Sequence, residues 1–535
     1  METIQSTRWN AEEYGKFSTL VRDYMNKQQT TSDLYNRFPS EDSLVEQTKD
    51  RLKSFKNREI LCDSLENQLS FLDLSELQIE NLEKLRRDNT VTISTGHQLN
   101  LFTGPVYIFY KILQVVKCCN HMNVRHPEFN FVPIFWMATE DHDFEEINHF
   151  CFNCKRYSWE RDFGGATGRM NLDGIDKVFE EFFQDLPDSK HADELKQLAN
   201  DSYLNSKTLT EATQRLIQEL FGKYGVLMVD GDDRELKKLM ISAFEEDLIH
   251  NTAFKKVSET NHKLAENHYN IQVNPREINL FYLEGDSVRE RIVFENGKFK
   301  VLNTQLKFNE QEIKEELKNY PEKFSPNVIL RPLYQETILP NVAYIGGFGE
   351  LSYWLQLKSF FEAMSTDYPL VIGRNSMLVV SSKQRESLEK LSVDFSDLML
   401  PVQEVINRNV IQNSETGIDF SKYEEMLTVM FDELNQKAVR TDVTFSKMVA
   451  AQRAKQLKGL GKMLKRLERA ERKKQAERTE RIEAIYKKLF PNNKLQERVD
   501  NFSEFHLEYG FNFIDEIYDE IKPIDFCFTI KTFDN

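Results

Sequence analysis

The chain has 535 residues, enough for three or four structural units at about 150 residues each. With 40% hydrophobic and 29% charged residues it can bury a sizeable core and stay soluble, and its 20 glycines and 14 prolines exclude a collagen-like or loop-rich all-β chain. A net charge of −16 argues against a protein that coats nucleic acid along its whole surface.

The N-terminal residues lack the basic start and apolar stretch of a signal peptide. The most apolar run, residues 131–138, is too short to span a bilayer. Six cysteines in a chain of this length do not make a disulfide framework. Together these features predict a cytoplasmic protein with free thiols and no membrane partner.

Residues 1–88 read as an amphipathic helical region packing on the core, because Leu61, Leu65, Leu69 and Leu72 recur on one helix face. At residue 89 the texture changes. Residues 90–95 read as a buried strand and residues 106–119 as a helix, with Pro105 at its first turn. Further apolar runs at 129–138, 226–229, 328–330, 343–345 and 370–372 each precede a polar or glycine-containing motif. Short apolar strands alternating with helices predict a parallel α/β sheet over residues 89–375, with ligands at the carboxyl ends of its strands. Two insertions interrupt it, at about 155–222 and 235–325. The first is mostly helical; the second carries a β element with a hairpin turn at Glu295-Asn296-Gly297-Lys298.

Residues 376–510 form a helical coiled-coil region, and residues 511–535 return to the core. Leu457, Leu460, Leu464 and Leu467 repeat at coiled-coil spacing, as do Ile482, Ile485 and Leu489. One helix over 444–490 would be about 70 Å long and must pair with residues 376–400, with 421–438 or with another subunit. From Arg453 to Lys488 there are 14 Lys/Arg against 5 Asp/Glu. This basic run is a solvated helix face, or else it attracts an anionic ligand or nucleic acid.

Three segments carry candidate chemistry. In the first, Thr95-Gly96-His97-Gln98 through Gly104 to Tyr107, with Lys111 beyond, lies between a strand and a helix N-terminus, where an anion can approach the backbone. It matches neither standard glycine-rich phosphate motif, and a structural turn is the alternative. In the second, Glu140-Asp141-His142-Asp143-Phe144-Glu145-Glu146-Ile147-Asn148-His149 places five carboxylates and two histidines directly after a buried strand. Packing alone rarely asks for this, since each carboxylate risks desolvation. A general base, a ligand for a substrate ammonium, a metal ligand and a solvated loop all fit. His142, His149, Cys151 and Cys154 can also be read as zinc ligands, although no second Cys-x-x-Cys exists. The third comprises Arg331 and Gln335, then Gly346-Gly347-Phe348-Gly349-Glu350 with Tyr353 and Trp354, and finally Arg374. Its glycines permit close backbone approach to a ligand.

Taken in order, these motifs resemble the bacillithiol-biosynthesis cysteine-adding enzymes, a family of cysteine ligases. The resemblance rests on Thr95-Gly-His-Gln with Leu101-Phe-Thr-Gly-Pro-Val-Tyr and Lys111, on Phe135-Trp with Glu140-Asp-His-Asp-Phe-Glu-Glu, and on Leu330-Arg-Pro with Gln335. It extends to Gly346-Gly with Gly349-Glu and Tyr353, and to Leu495-Gln-Glu-Arg. His97, the pair Leu99-Asn100 and Phe348 depart from the family pattern, where glutamine, a Pro-Gly-like pair and proline are usual. The resemblance implies a Rossmann-like, nucleotidyltransferase-like core with connecting-peptide insertions and a coiled-coil domain that makes a homodimer. It implies addition of cysteine to the amine of glucosaminyl-malate, through an ATP-activated cysteinyl intermediate, with no metal beyond magnesium accompanying the nucleotide. On this reading Asp141, His142, Asp143 and His97 are the catalytic candidates. Thr95, Gly96, Gln98, Gly104, Tyr107, Lys111, Glu140, Glu145, Arg331, Gln335, Gly346, Gly347, Gly349, Glu350, Tyr353 and Arg374 are the substrate- or nucleotide-binding candidates. The competing functions are a metal-dependent hydrolase built on residues 140–149, and a coiled-coil scaffold or RNA-binding protein using the basic helix.

Overall fold

A computed structural model describes residues 6–10, 14–415, 417–440 and 442–533. The chain forms two compact units. The larger consists of Arg8–Leu378 with Glu497–Thr529, and the smaller is built on Val379–Gln496 with short terminal stretches. The return to the larger unit thus comes at Glu497, earlier than the residue 511 read from the sequence.

At the centre of the larger unit lie five strands: β1 Thr90–His97, β2 Asn130–Met137, β3 Leu227–Asp230, β4 Asn341–Gly346 and β5 Leu370–Gly373. They pair in the order β5-β4-β1-β2-β3, and every pairing is parallel. Both faces are covered, so β1 and β4 are near-continuously buried and their sequences do not alternate. Helix α1, Tyr107–Arg125, makes the crossover from β1 to β2 and packs on both. Its Val115, Cys118 and Cys119 join Val91, Ile93, Phe131, Val342 and Ile345 in one core cluster. Strand order reverses between β1 and β4. That neighbouring pair, whose chain connections run to opposite sides, opens the crevice in which such sheets bind ligands.

The first insertion contains the helices Ile175–Gln184, Lys190–Ala199 and Leu209–Phe221. The second forms a five-stranded sheet from strands between Leu280 and Pro326, with antiparallel pairings throughout. Its hairpin turns at Asn296 and Gly297, both with positive φ, where the sequence located it. Residues 328–330 are not a strand. Asn327 Oδ1 accepts the N–H groups of Ile329 at 2.9 Å and Leu330 at 3.2 Å and starts helix α2, Leu330–Ile338. A three-residue apolar run carries no period, so the sequence cannot distinguish the two. Helix α3, Phe348–Trp354, follows β4.

In the smaller unit, helix α4, Ser421–Val439, folds back on α5, Val443–Lys474, as a helical hairpin. Phe431, Ala438 and Val449 form its buried seam, and Arg453 pairs with Asp432 at 2.9 Å. The single helix expected over 444–490 is broken. Gln475 leaves helical geometry, and α6 restarts over Ala476–Leu489. Two interactions explain the break: Gln475 Nε2 donates to the Val410 carbonyl at 3.2 Å, and Arg478 Nε reaches Asn409 Oδ1 at 2.7 Å. The seam is also weakest there, since 468–481 offers only two alanines as apolar residues.

Candidate functional site

A cavity of about 530 Å³ opens at the carboxyl ends of β1, β2 and β4. From β1 it is lined by Gly96, His97 and Gln98; from the turn after β2 by Thr139, Glu140, Asp141 and His142. Arg331, Tyr344, Glu350 and Tyr353 close one side, and Phe281 and Arg289 of the inserted sheet close another.

Each wall is fixed by a local network. Asp141 Oδ1 accepts the His142 N–H at 2.8 Å, and its Oδ2 accepts Gln98 Nε2 at 2.7 Å, so the carboxylate is held across the β1–β2 gap. Glu350 accepts the Gly347 N–H at 2.8 Å and Lys111 Nζ at 2.7 Å, as well as the Tyr344 hydroxyl. Burial alone would raise its carboxyl, but Lys111, Tyr344 and Gly347 outweigh it and hold it below the ordinary range. Lys111 also donates to the Gly96 carbonyl, tying the start of the loop to α3. Arg331 is aimed by Gln335 and by the Tyr353 hydroxyl, each at 3.0 Å.

Behind the acidic turn lies a buried ionic network in which Glu140, a candidate from the sequence, meets Lys237, Asp232 and Arg169. Lys237 Nζ is fully buried and bonds Glu140 Oε1 at 2.6 Å and Asp232 Oδ1 at 3.1 Å. Arg169 forks onto Asp232 at 2.6 and 2.8 Å. Burial pushes the Asp230 carboxyl well up, with Asp232 adding to the effect. Asp230 ends β3, with Asp232 and Lys237 just after it, while Glu140 follows β2 and Arg169 lies in the first insertion. Arg289 gave no signal, because it sits near the start of a strand of the inserted sheet with no motif around it. Its Nη1 donates to His142 Nδ1 at 2.6 Å, its Nε to Ser325 Oγ at 3.0 Å, and its Nη2 to the Pro326 carbonyl at 3.0 Å.

His97 lines the cavity with Nε2 buried and without a hydrogen-bond partner. Burial, followed by the nearby Lys111, pushes its pKa down to about 3, so the ring is neutral at pH 7. His142 is also pushed down, first by burial and then by Arg289.

Two domain descriptions cover almost the whole chain: the N-terminal Rossmann-like domain of bacillithiol biosynthesis BshC matches residues 4–375, and its C-terminal coiled-coil domain matches 377–533. The chain belongs to the BshC family. Relatives named "Putative cysteine ligase BshC" include one from Flavobacterium psychrophilum, 45% identical over 96% of this chain and 97% of that protein. One from Flavobacterium johnsoniae is 42% identical over 97% and 98%, and one from Bacillus cereus 27% identical over 94% and 95%.

Within this BshC-family fold, the candidates separate into groups. Gly96, His97, Gln98, Tyr107, Glu140, Asp141, His142, Arg331, Glu350 and Tyr353 share the cavity. Thr95, Lys111, Gln335, Gly346 and Gly347 stand behind or beside it. Thr95 Oγ1, for example, donates to the Ile345 carbonyl at 2.7 Å. Asp143, Glu145 and Gly349 are exposed and do not line the cavity. Gly104 faces elsewhere. Its carbonyl and that of Phe102 each accept Asn501 Nδ2 at 2.7 Å, so this half of the loop holds the C-terminal return. Its φ of +63° and the closeness of Asn100 explain the glycine. Arg374 is buried against Glu497, also outside the cavity. The zinc reading of His142, His149, Cys151 and Cys154 finds no gathered ligand set among the described residues. Cys151-Phe152-Asn153-Cys154 instead bends a hairpin between strands His149–Phe152 and Lys155–Ser158, with Asn153 and Cys154 at positive φ.

Proposed function

We propose that this protein is a cysteine ligase of bacillithiol biosynthesis, joining the cysteine carboxyl to the amine of glucosaminyl-malate in the β1–β4 cavity. The observation that carries this reading is the meeting, in a BshC-family Rossmann-like domain, of the Asp141–His142 turn with Gly96–Gln98 and two guanidinium groups around one crevice. A carboxylate and an amine do not condense at neutral pH. ATP supplies the activation as a cysteinyl intermediate, whose anionic leaving group suits the Arg331 and Arg289 guanidinium groups that line the cavity.

The hydrogen-bond directions suggest a division of labour. Arg289 donates to His142 Nδ1, so the neutral ring carries its proton on Nε2 and acts there as a donor to an oxygen of the reacting group. Asp141 is then the carboxylate that holds an ammonium and takes up the proton released as the amine attacks. Glu140 has a different task, since it neutralises Lys237. Reconstitution with cysteine, ATP and glucosaminyl-malate tests the reading: bacillithiol and AMP should form together. Asp141→Asn and His142→Ala should each lower kcat by about 10²-fold or more. Product without AMP or ADP would remove the activation step, and full activity in both variants would remove the role of this turn.

We further propose a homodimer through the helical hairpin. Tyr423, Met426 and Met430 recur at spacings of three and four on α4 and remain 53%, 61% and 45% exposed. Met426→Lys with Met430→Lys should shift the native mass from dimer to monomer by light scattering; an unchanged mass rejects this face.

A further inference from the structure

Apart from the cavity, three metal-ligating side chains of the larger unit meet at one point. His191 and Glu194 lie three residues apart on the helix Lys190–Ala199, so both side chains emerge on the same face. His506 belongs to the helix Phe502–Tyr509, 312 residues beyond Glu194. Glu194 Oε2 is 3.0 Å from His191 Nδ1 and 3.0 Å from His506 Nε2. The three ligand atoms all lie within 4.8 Å of one another.

Further features of the cluster favour an ion over a plain hydrogen-bonded trio. His506 is fully buried, yet its Nδ1 has no hydrogen-bond partner. The ring's one hydrogen-bonding contact is therefore at Nε2, the nitrogen that faces Glu194 and is offered to an ion. Lys190 Nζ stands 3.4 Å from Glu194 Oε1, orienting the carboxylate so that Oε2 turns towards the two rings. Gly510 leaves the room that the His191 ring occupies. Its φ is +61°, and a Cβ there would come within 2.7 Å of His191 Cε1. The His191 and Glu194 side chains keep 34% and 26% exposure, which leaves an entry path and a fourth position for water.

We propose that His191, Glu194 and His506 form a zinc site that clasps the first insertion to the C-terminal return. Two imidazoles and one carboxylate are a known zinc donor set. Zinc bonds of about 2.0–2.2 Å in tetrahedral geometry separate neighbouring ligand atoms by about 3.3 Å, so the observed N···O spacings need only a small expansion. Both rings bind neutral through the nitrogens that now face Glu194, and each proton moves to the nitrogen turned away.

The test is zinc titration of the chelator-stripped full-length protein by calorimetry, with thermal melting alongside. One zinc per chain and a raised melting midpoint are expected. His191→Ala and Glu194→Gln, both at partly exposed positions, should each weaken binding by at least about tenfold and abolish the zinc-dependent rise. Cobalt should give the intense visible bands of tetrahedral coordination in the wild type and lose them in both variants. Absence of saturable binding, or unchanged affinity in either variant, overturns the proposal.

Discussion

At residue scale, His97 gives the cavity a pH signature. Its folded pKa is pushed down to about 3 by burial and Lys111, whereas an unfolded histidine titrates near 6.5. Below 6.5 the unfolded chain therefore binds a proton that the folded ring refuses. The stabilising contribution is complete above 6.5 and is lost as the pH falls towards 3. Buried carboxyls such as Glu336, pushed up to about 7 by burial, act with the opposite sign, so the useful quantity is a difference between variants. His97→Gln, which cannot titrate, should flatten the loss of stability between pH 6.5 and 4 by up to ~1.4 kcal/mol per pH unit. Parallel urea-unfolding curves against pH for the two proteins would show that His97 titrates normally. The sequence marked His97 as a candidate, but its neutrality depends on burial and then on Lys111 and Arg374, which outweigh Glu350 and which only the fold brings near.

Among the elements, the parallel strands were legible because each is short, apolar and followed by a polar turn. The Glu295–Lys298 hairpin was legible because Asn-Gly accepts two positive φ angles. The helix starting at Leu330 was not, since a side-chain cap from Asn327 decides it. In the smaller unit the heptads located α5 and α6, but a pattern of leucines does not reveal a break produced by polar contacts from the helix Val402–Gln412. The hairpin between α4 and α5 depends on its own cap, where Asp442 Oδ1 accepts the Thr444 N–H at 3.1 Å. Asp442→Ala should cost about 1 kcal/mol, read as an earlier loss of helical signal on heating. An unchanged melt would mean that packing against α4 alone holds the start of α5.

For the whole molecule, the question is how a core interrupted by more than a hundred residues closes again. The larger unit ends its first pass at Leu378 and resumes at Glu497. Glu497 meets Arg374 in a bidentate pair at 2.6 and 3.2 Å, with both side chains only 1% exposed, and also accepts the Met377 N–H at 3.1 Å. Arg374→Met leaves that carboxylate buried and unpaired, which should cost about 3–5 kcal/mol in urea unfolding. Adding Glu497→Gln removes the charge while keeping an acceptor, and part of the loss should return. A single-variant loss below about 1 kcal/mol would mean that the pair is no better than a surface one. Arg374 looked like a ligand-binding residue because it sits just past a strand end. Its partner lies 123 residues away, a distance over which sequence gives no pairing signal.

By itself the sequence determined the parallel α/β core, the helical coiled-coil region, the acidic turn and the family resemblance. All of these arise from local periodicity and from motifs that stay contiguous in the chain. Tertiary structure decided which motif residues face the crevice and which serve the scaffold. Gln98 and Asp141 meet across two strands, Gly104 turns to Asn501, and Arg289 arrives from an insertion to fix His142. Those assignments depend on charge, burial and hydrogen-bond direction between segments far apart in sequence, so they exist only once the chain has folded.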